Sequence, residues 1–167
     1  ALEQYGRSEK LLSQKKYWQR TAKNYFPLIA DNNYKGLIRV KDTAQYSLRL
    51  RVEQTRRLVQ EVPRAYHTEI NDILLCALAK TLCDWNRTDK IIIGLEGHGR
   101  EEIREGIDIS HTVGWFTSLY PLLVEVKPGV SGVIGDLIKS VKEQLRQVPD
   151  KGLGYGVLKY INKEELL

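Results

Sequence analysis

Glu96, His98 and Arg100 occupy alternate positions in the stretch Lys90 to Arg100. In an extended strand, alternate side chains share a face. A carboxylate, an imidazole and a guanidinium would then stand in a row beside Ile92 and Gly94. The other face, with Ile91, Ile93, Leu95, Gly97 and Gly99, is apolar and suited to a core. The interleaved glycines weaken a strand and often mark the close approach of a ligand or a second backbone. A carboxylate in that row suits a proton acceptor or an orienting group. The competing reading is an ion pair of Glu96 with Arg100 that only closes a strand end.

A second candidate is Tyr155, set among Gly152, Gly154 and Gly156. Such a backbone-permissive loop can bring a phenol to a reacting centre, or it can be a flexible loop with an exposed tyrosine. The run Thr112 to Thr117 sets Trp115 and Phe116 beside Gly114. It reads either as a core strand or as the wall of a tunnel. No metal-ligand spacing is present: His98 and His111 are single, and Cys76 and Cys83 lack partner histidines at finger spacing. Gly97-His98-Gly99 has the wrong spacing for a P-loop or a dinucleotide fingerprint.

These residues need elements to position them. Ser8 to Lys23 reads as a polar helix with Leu11, Leu12, Tyr17 and Trp18 as apolar contacts. Asn24 to Lys35 is turn-rich, and Gly36 to Val40 suits a short strand. Tyr46, Leu48, Leu50 and Val52 alternate with Ser47, Arg49 and Arg51, the pattern of a half-buried strand. Glu53 to Val62 suits a helix stopped by Pro63. Thr68 to Trp85 is the strongest helix, its apolar stripe running through Ile70, Ile73, Leu74, Ala77, Leu78, Thr81, Leu82 and Trp85, with Thr68 as N-cap. Lys90 to Arg100 is a β-branched strand. Glu101 to Ser110 is charged and loop-like. Thr112 to Val126 suits two short strands, or one kinked at Pro121, before a turn at Lys127-Pro128-Gly129. Val130 to Val148 is amphipathic and helical, ended by Pro149. Asp150 to Gly156 reads as a loop and Val157 to Ile161 as a strand. This order predicts an α/β fold, an α+β two-layer sandwich, over residues 1–167.

A length of 167 residues allows one domain with a real core. Hydrophobic residues at 42% and charged residues at 28% place the chain among globular proteins. The net charge of +5 is scattered, without the dense basic stripe that nucleic-acid binding favours. No apolar run reaches the roughly 20 residues of a membrane span, so neither nucleic acid nor membrane is an expected partner. Cys76 and Cys83 fall seven residues apart in one helix, about 10.5 Å along its axis, too far to bridge. A reducing, cytoplasmic setting is the expectation. The absence of Met suggests a chain processed or excised from something larger.

Together these stretches resemble the epimerisation domains of nonribosomal peptide synthetases. That family shows D-x-L-L-x-A, here Asp72 to Ala77, and E-G-H-G-R-E, here Glu96 to Glu101 without mismatch. It then shows R-T-V-G-W-F-T-x-x-Y-P, here His111 to Pro121 with His111 in place of Arg, and P-x-x-G-x-G-Y-G, here Pro149 to Gly156. The parent superfamily includes condensation domains and chloramphenicol-acetyltransferase-like acyltransferases.

The resemblance implies one lobe, the C-terminal one, of a V-shaped two-lobed domain with its active site in a tunnel between the lobes. The N-terminal lobe carries an H-H-x-x-x-D-G motif, which is absent from this chain. The family inverts the α-carbon of an aminoacyl or peptidyl thioester that hangs from the 4'-phosphopantetheine arm of a peptidyl carrier protein. The resemblance makes Glu96 the base for one face and Tyr155 a second acid–base candidate, with Arg100, His98 and Trp115 in support. It implies no metal and no redox cofactor. The chain alone is then expected to be inactive without its N-terminal lobe, and to self-associate through the surface that lobe would cover. A condensation-type lobe and a non-catalytic carrier-docking module are the alternatives.

Overall fold

The first helices form where polar residues alternate with a narrow apolar stripe. α1 is Leu2–Gly6, α2 is Glu9–Leu12 and α3 is Lys15–Lys23. Ser8 caps α2, its Oγ accepting the Leu11 N–H at 3.2 Å. The expected Ser8–Lys23 helix is therefore two helices with a turn at Ser13–Gln14, preceded by a short helix with no sequence signal strong enough to announce it. On α3, Trp18, Thr21 and Ala22 fall on one side and are buried, and Leu11 and Trp18 are wholly enclosed. Leu12 stays exposed. This computed structural model describes residues 1–30, 32, 34–103, 106, 108–126 and 134–165.

The two early strands do not form. Residues 43–51 carry no strand pairing and are exposed, with Leu48 at 99%. The backbone at Thr43 and Arg51 is extended. Strand geometry without a neighbour leaves its N–H and C=O groups to water, so the alternation stays unused. At 36–40 the chain likewise lacks a strand, ending in a 3₁₀ turn at Val40–Asp42. Pro63 does not stop the helix before it. α4, Val52–Arg56, runs through a π turn at Arg57–Glu61 into α5, Val62–Tyr66. The wider π turn accommodates the proline ring and its missing donor.

α6, Ile70–Asn86, is the long helix expected. Its N-cap is Glu69 rather than Thr68, with Asp72 Oδ2 accepting the Glu69 N–H at 2.9 Å. The buried face is also rotated from the expected stripe. Ile73, Leu75, Cys76, Ala79 and Cys83 are enclosed, whereas Leu74, Leu78 and Trp85 are exposed. The enclosed face thus combines Ile73 and Leu75 with the small Cys76, Ala79 and Cys83, while three large apolar side chains of the expected stripe stay outside.

β1, Lys90–Gly97, pairs antiparallel with β2, Ser118–Glu125. These are the strands of the one sheet among the described residues. Gln144 takes both backbone groups of Glu125, accepting its N–H at 2.7 Å and donating to its C=O at 3.0 Å. Glu125 therefore points its backbone away from β1, and so, by period two, do Leu123, Pro121 and Leu119. Pro121 sits where no donor to β1 is needed, which explains why it does not break β2. Residues 112–117 are not strand.

α7, Ile134–Arg146, follows. The expected turn at 127–129 and residues 130–133 of the expected helix lie outside the described residues. Pro149–Gly152 then forms a 3₁₀ turn, α8 is Leu153–Gly156, and a π turn covers Val157–Ile161. The glycine motif is thus largely helical and the expected terminal strand is a helical turn. Val157 and Leu158 are buried on one side of it, a helical burial pattern that a half-exposed strand would not give. The core joins α3, α6, α7 and this last turn to the inner sheet face of Ile91, Tyr120, Leu122 and Val124. The expected mixed helix–strand layering holds, with a sheet reduced to a hairpin-like pair.

Candidate functional site

The site grows from the end of β1. Glu96 lies on the outer face of the sheet, directly across from Leu119, and is exposed. Among the described residues nothing pairs with its carboxylate. The strand ends one residue later, at Gly97, because Gly99 takes φ +66° and a Cβ there would lie 1.6 Å from the Phe116 carbonyl oxygen. His98 and Arg100 therefore leave the strand and do not continue the row that alternation predicted.

The Arg100 guanidinium donates to the carbonyls of Ile109 at 2.6 Å, Thr112 at 3.0 Å and Gly114 at 3.4 Å. It also lies 4.3 Å over the Phe116 ring. Arg100 thus holds the segment that leads into β2, and it forms no ion pair with Glu96. His98 Nδ1 accepts the Arg100 N–H at 3.0 Å, which leaves the proton on Nε2, 3.2 Å from Glu101 Oε1. Both ring nitrogens are engaged. Glu101, largely covered, also meets Lys151 Nζ at 3.2 Å. That contact ties the Glu96–Glu101 motif to the start of the glycine motif.

Tyr155 falls elsewhere. Its ring packs 5.3 Å from Trp18, which also meets Tyr120, and its hydroxyl accepts from Lys159 Nζ at 3.3 Å. Tyr120 pairs with Leu95 on the inner face. Glu96 and Tyr155 therefore stand on opposite faces of the sheet.

The glycine motif is anchored by a cluster that sequence reasoning missed. Asp150 (φ 43°) and Lys151 (φ 48°) are left-handed. The Asp150 carboxylate accepts from the Tyr5 hydroxyl and from Gln14 Nε2 at 2.8 Å, and pairs with Lys10 Nζ at 2.7 Å. Burial pushes the Asp150 carboxyl up, but hydrogen bonds from Lys10, Tyr5 and Gln14 outweigh it and hold the group below the usual carboxylate range. Burial, and then the bond to Asp150, push the Tyr5 phenol up. Tyr5 and Asp150 are 145 residues apart, and no local pattern links them. Only the glycines hinted that this backbone was unusual.

Beside the site lies a cavity of about 580 Å³. Gly99, Trp115, Phe116, Leu119, Leu153 and Ile161 contribute to its wall, with Glu101 at its edge. Trp115 is 91% exposed, so it forms an open wall, not a core. Among the described residues no cluster could hold a metal ion, and no helix is long and apolar enough to cross a membrane.

A family model for the condensation domain matches residues 1–166. Bacitracin synthase 3 of Bacillus licheniformis is 47% identical over 161 residues, covering 96% of this chain and 2% of its own length. Gramicidin S synthase 1 of Brevibacillus brevis is 43% identical over 171 residues, covering 99% and 15%. A crystal structure of the epimerization domain from the third module of tyrocidine synthetase B is similar with a TM-score of 0.82 and 36% identity, covering 99% of this chain and 37% of that one. The chain thus spans a small part of the synthetases it matches.

Proposed function

The chain belongs to the condensation-domain family, and on that premise we propose that it is part of an epimerisation domain that inverts the α-carbon of a carrier-bound aminoacyl or peptidyl thioester. The observation that carries this is Glu96: a carboxylate without a partner among the described residues, on the open face of a strand, directly across from Leu119, which lines an apolar cavity. The likeness to the tyrocidine synthetase epimerization domain supports the same reading.

The chemistry follows from the substrate. A thioester acidifies its α-proton, since the electrons of the broken C–H bond delocalise into an enolate. Glu96 takes that proton and becomes the carboxylic acid. A second acid then delivers a proton to the opposite face of the α-carbon, which restores the thioester with inverted configuration. The resemblance assigns that second acid to the histidine motif of the other lobe, so this chain alone is inactive. The substrate arrives on the phosphopantetheine arm of a peptidyl carrier protein, which is the partner. Arg100 positions the segment before β2, and His98 and Glu101 lock the motif to Lys151.

The complete domain that contains this chain tests the reading. Incubated in D₂O with an aminoacyl carrier protein, it should place deuterium at the α-carbon. Glu96→Gln should slow that exchange by about 10²–10⁴-fold, while stability stays within roughly 0.5 kcal/mol because the side chain is exposed and makes no pair among the described residues. Exchange at the wild-type rate in this variant refutes the role of Glu96. Formation of a peptide bond without exchange refutes epimerisation and favours the condensation reading.

A further inference from the structure

We infer that the cavity lined by Leu119, the cross-strand partner of Glu96, is the subsite for the substrate's own side chain, and that it selects an apolar one. The inference rests on the proposed proton abstraction by Glu96. Three observations carry it.

The first is position. Leu119 lines the cavity and is the direct cross-strand partner of Glu96. The backbone of Leu119 shares the outward phase of Glu125, so the two residues form a non-hydrogen-bonded pair, the kind whose side chains lie closest, about 4.5–5.5 Å between Cβ atoms. An α-carbon held at Glu96 is one side chain away from the cavity. The second is size. About 580 Å³ lies inside the usual range for small-ligand pockets, roughly 300–1,000 Å³, and is ample for a branched aliphatic or aromatic side chain.

The third is charge. Among the described lining residues Glu101 is the one charged side chain. Its carboxylate is already engaged by Lys151 and His98. A basic substrate side chain finds no unpaired anion there, and an acidic one meets a negative group. Ile103, Ile109, Phe116, Leu153, Val157 and Ile161 offer apolar contact instead.

The test uses the complete domain and N-acetylcysteamine thioesters of phenylalanine, alanine, lysine and aspartate. Wild type should exchange the phenylalanine α-proton with a kcat/KM about ten-fold or more above the other three. Ile161→Trp, which narrows the cavity at a partly exposed position, should lower the phenylalanine-to-alanine ratio by about ten-fold. If that variant does not fold, Trp115→Ala removes an exposed wall and should lower the same ratio. A ratio unchanged in both variants, or a preference for lysine or aspartate, overturns the inference. Unreactive pantetheine thioethers carrying the same side chains separate the two levels. If no thioester exchanges but the phenylalanine thioether binds more tightly than the alanine one, and Ile161→Trp removes that preference, epimerisation fails and the subsite stands. If the thioethers bind alike, or not at all because another segment fills the cavity, the subsite fails.

Discussion

Replacing Asp150 with Asn isolates the charge that holds the glycine motif to the N-terminal helices. Asn tolerates the left-handed backbone found at this position, so the change adds no backbone strain and keeps one acceptor oxygen. Two hydrogen bonds lose their charge assistance, from the Tyr5 hydroxyl and from Gln14 Nε2. A bond to a charged group contributes about 1.5–3 kcal/mol and a neutral one about 0.5–1.5, so each loses roughly 1 kcal/mol. The Lys10 pair adds little, since its side chain is 62% exposed and such pairs contribute about 0–1 kcal/mol. Asp150→Asn should therefore destabilise the chain by about 2–3 kcal/mol at pH 7.

The deficit must depend on pH in one direction. The folded-state carboxyl lies below its ordinary value, so its contribution is fully present above the unfolded pKa of about 3.9. It is lost as pH falls through the lower, folded value. Urea unfolding of wild type and Asp150→Asn, followed by tryptophan fluorescence from pH 7 down to pH 3, should show two stabilities that converge at the acid end. Tyr5→Phe should cost much less stability when combined with Asp150→Asn than it does alone. A gap that is constant across pH, or two substitutions that add independently, would show that Asp150 acts through packing and not through its charge.

The backbone itself supplies two further tests. Gly152→Ala should destabilise by about 3 kcal/mol or more, from the left-handed conformation and from overpacking, because a Cβ at φ +87° would lie 2.0 Å from the Tyr120 ring. Gly156→Ala, where a Cβ meets nothing within 4 Å, should instead stabilise the helical turn by up to about 1 kcal/mol. Paired thermal melts decide both, and equal shifts would refute the argument. Arg100→Lys should cost about 1–2 kcal/mol, since an ammonium cannot serve the three carbonyls and the Phe116 ring together. Limited proteolysis should then cut between Ile109 and Phe116 faster than in wild type. An unchanged cleavage rate would mean that the segment is held by other contacts.

The sequence revealed elements wherever a local period met a partner inside the chain. Alternation placed Ile91, Ile93 and Leu95 on the core face and Glu96 on the other, and the sheet has that arrangement. The same alternation at Tyr46 to Val52 produced no strand, because no neighbour receives it. On α6 the period was right and the phase was not. Leu74, Leu78 and Trp85 outweigh Cys76, Ala79 and Cys83 in hydrophobicity, yet the small residues join the core. Hydrophobic size alone cannot distinguish a face buried within this chain from one that awaits another surface. Pro63 and Pro121 were read as breaks because a local rule cannot see a π turn upstream or an outward-facing amide.

For the candidate site, spacing along the chain placed Glu96 on the outer face of β1 but did not place its neighbours. His98 and Arg100 seemed to share its face, but the strand ends at Gly97 and the left-handed Gly99 turns the chain before Arg100. Tyr155 seemed a second acid–base group, but whether two segments face each other is a tertiary fact. Here the sheet lies between them, with Tyr155 against Trp18 on the inner side. That separation has a chemical consequence. On the proposed reading, inversion would need one group on each face of the α-carbon, and a phenol behind the sheet could not attend a carbon held at Glu96 without the loop leaving Trp18. On that proposal the second proton donor would approach from the open side of the sheet, the side on which Glu96 is exposed. On that side the exposed Trp115 and Leu119 mark the surface against which such a donor would be held.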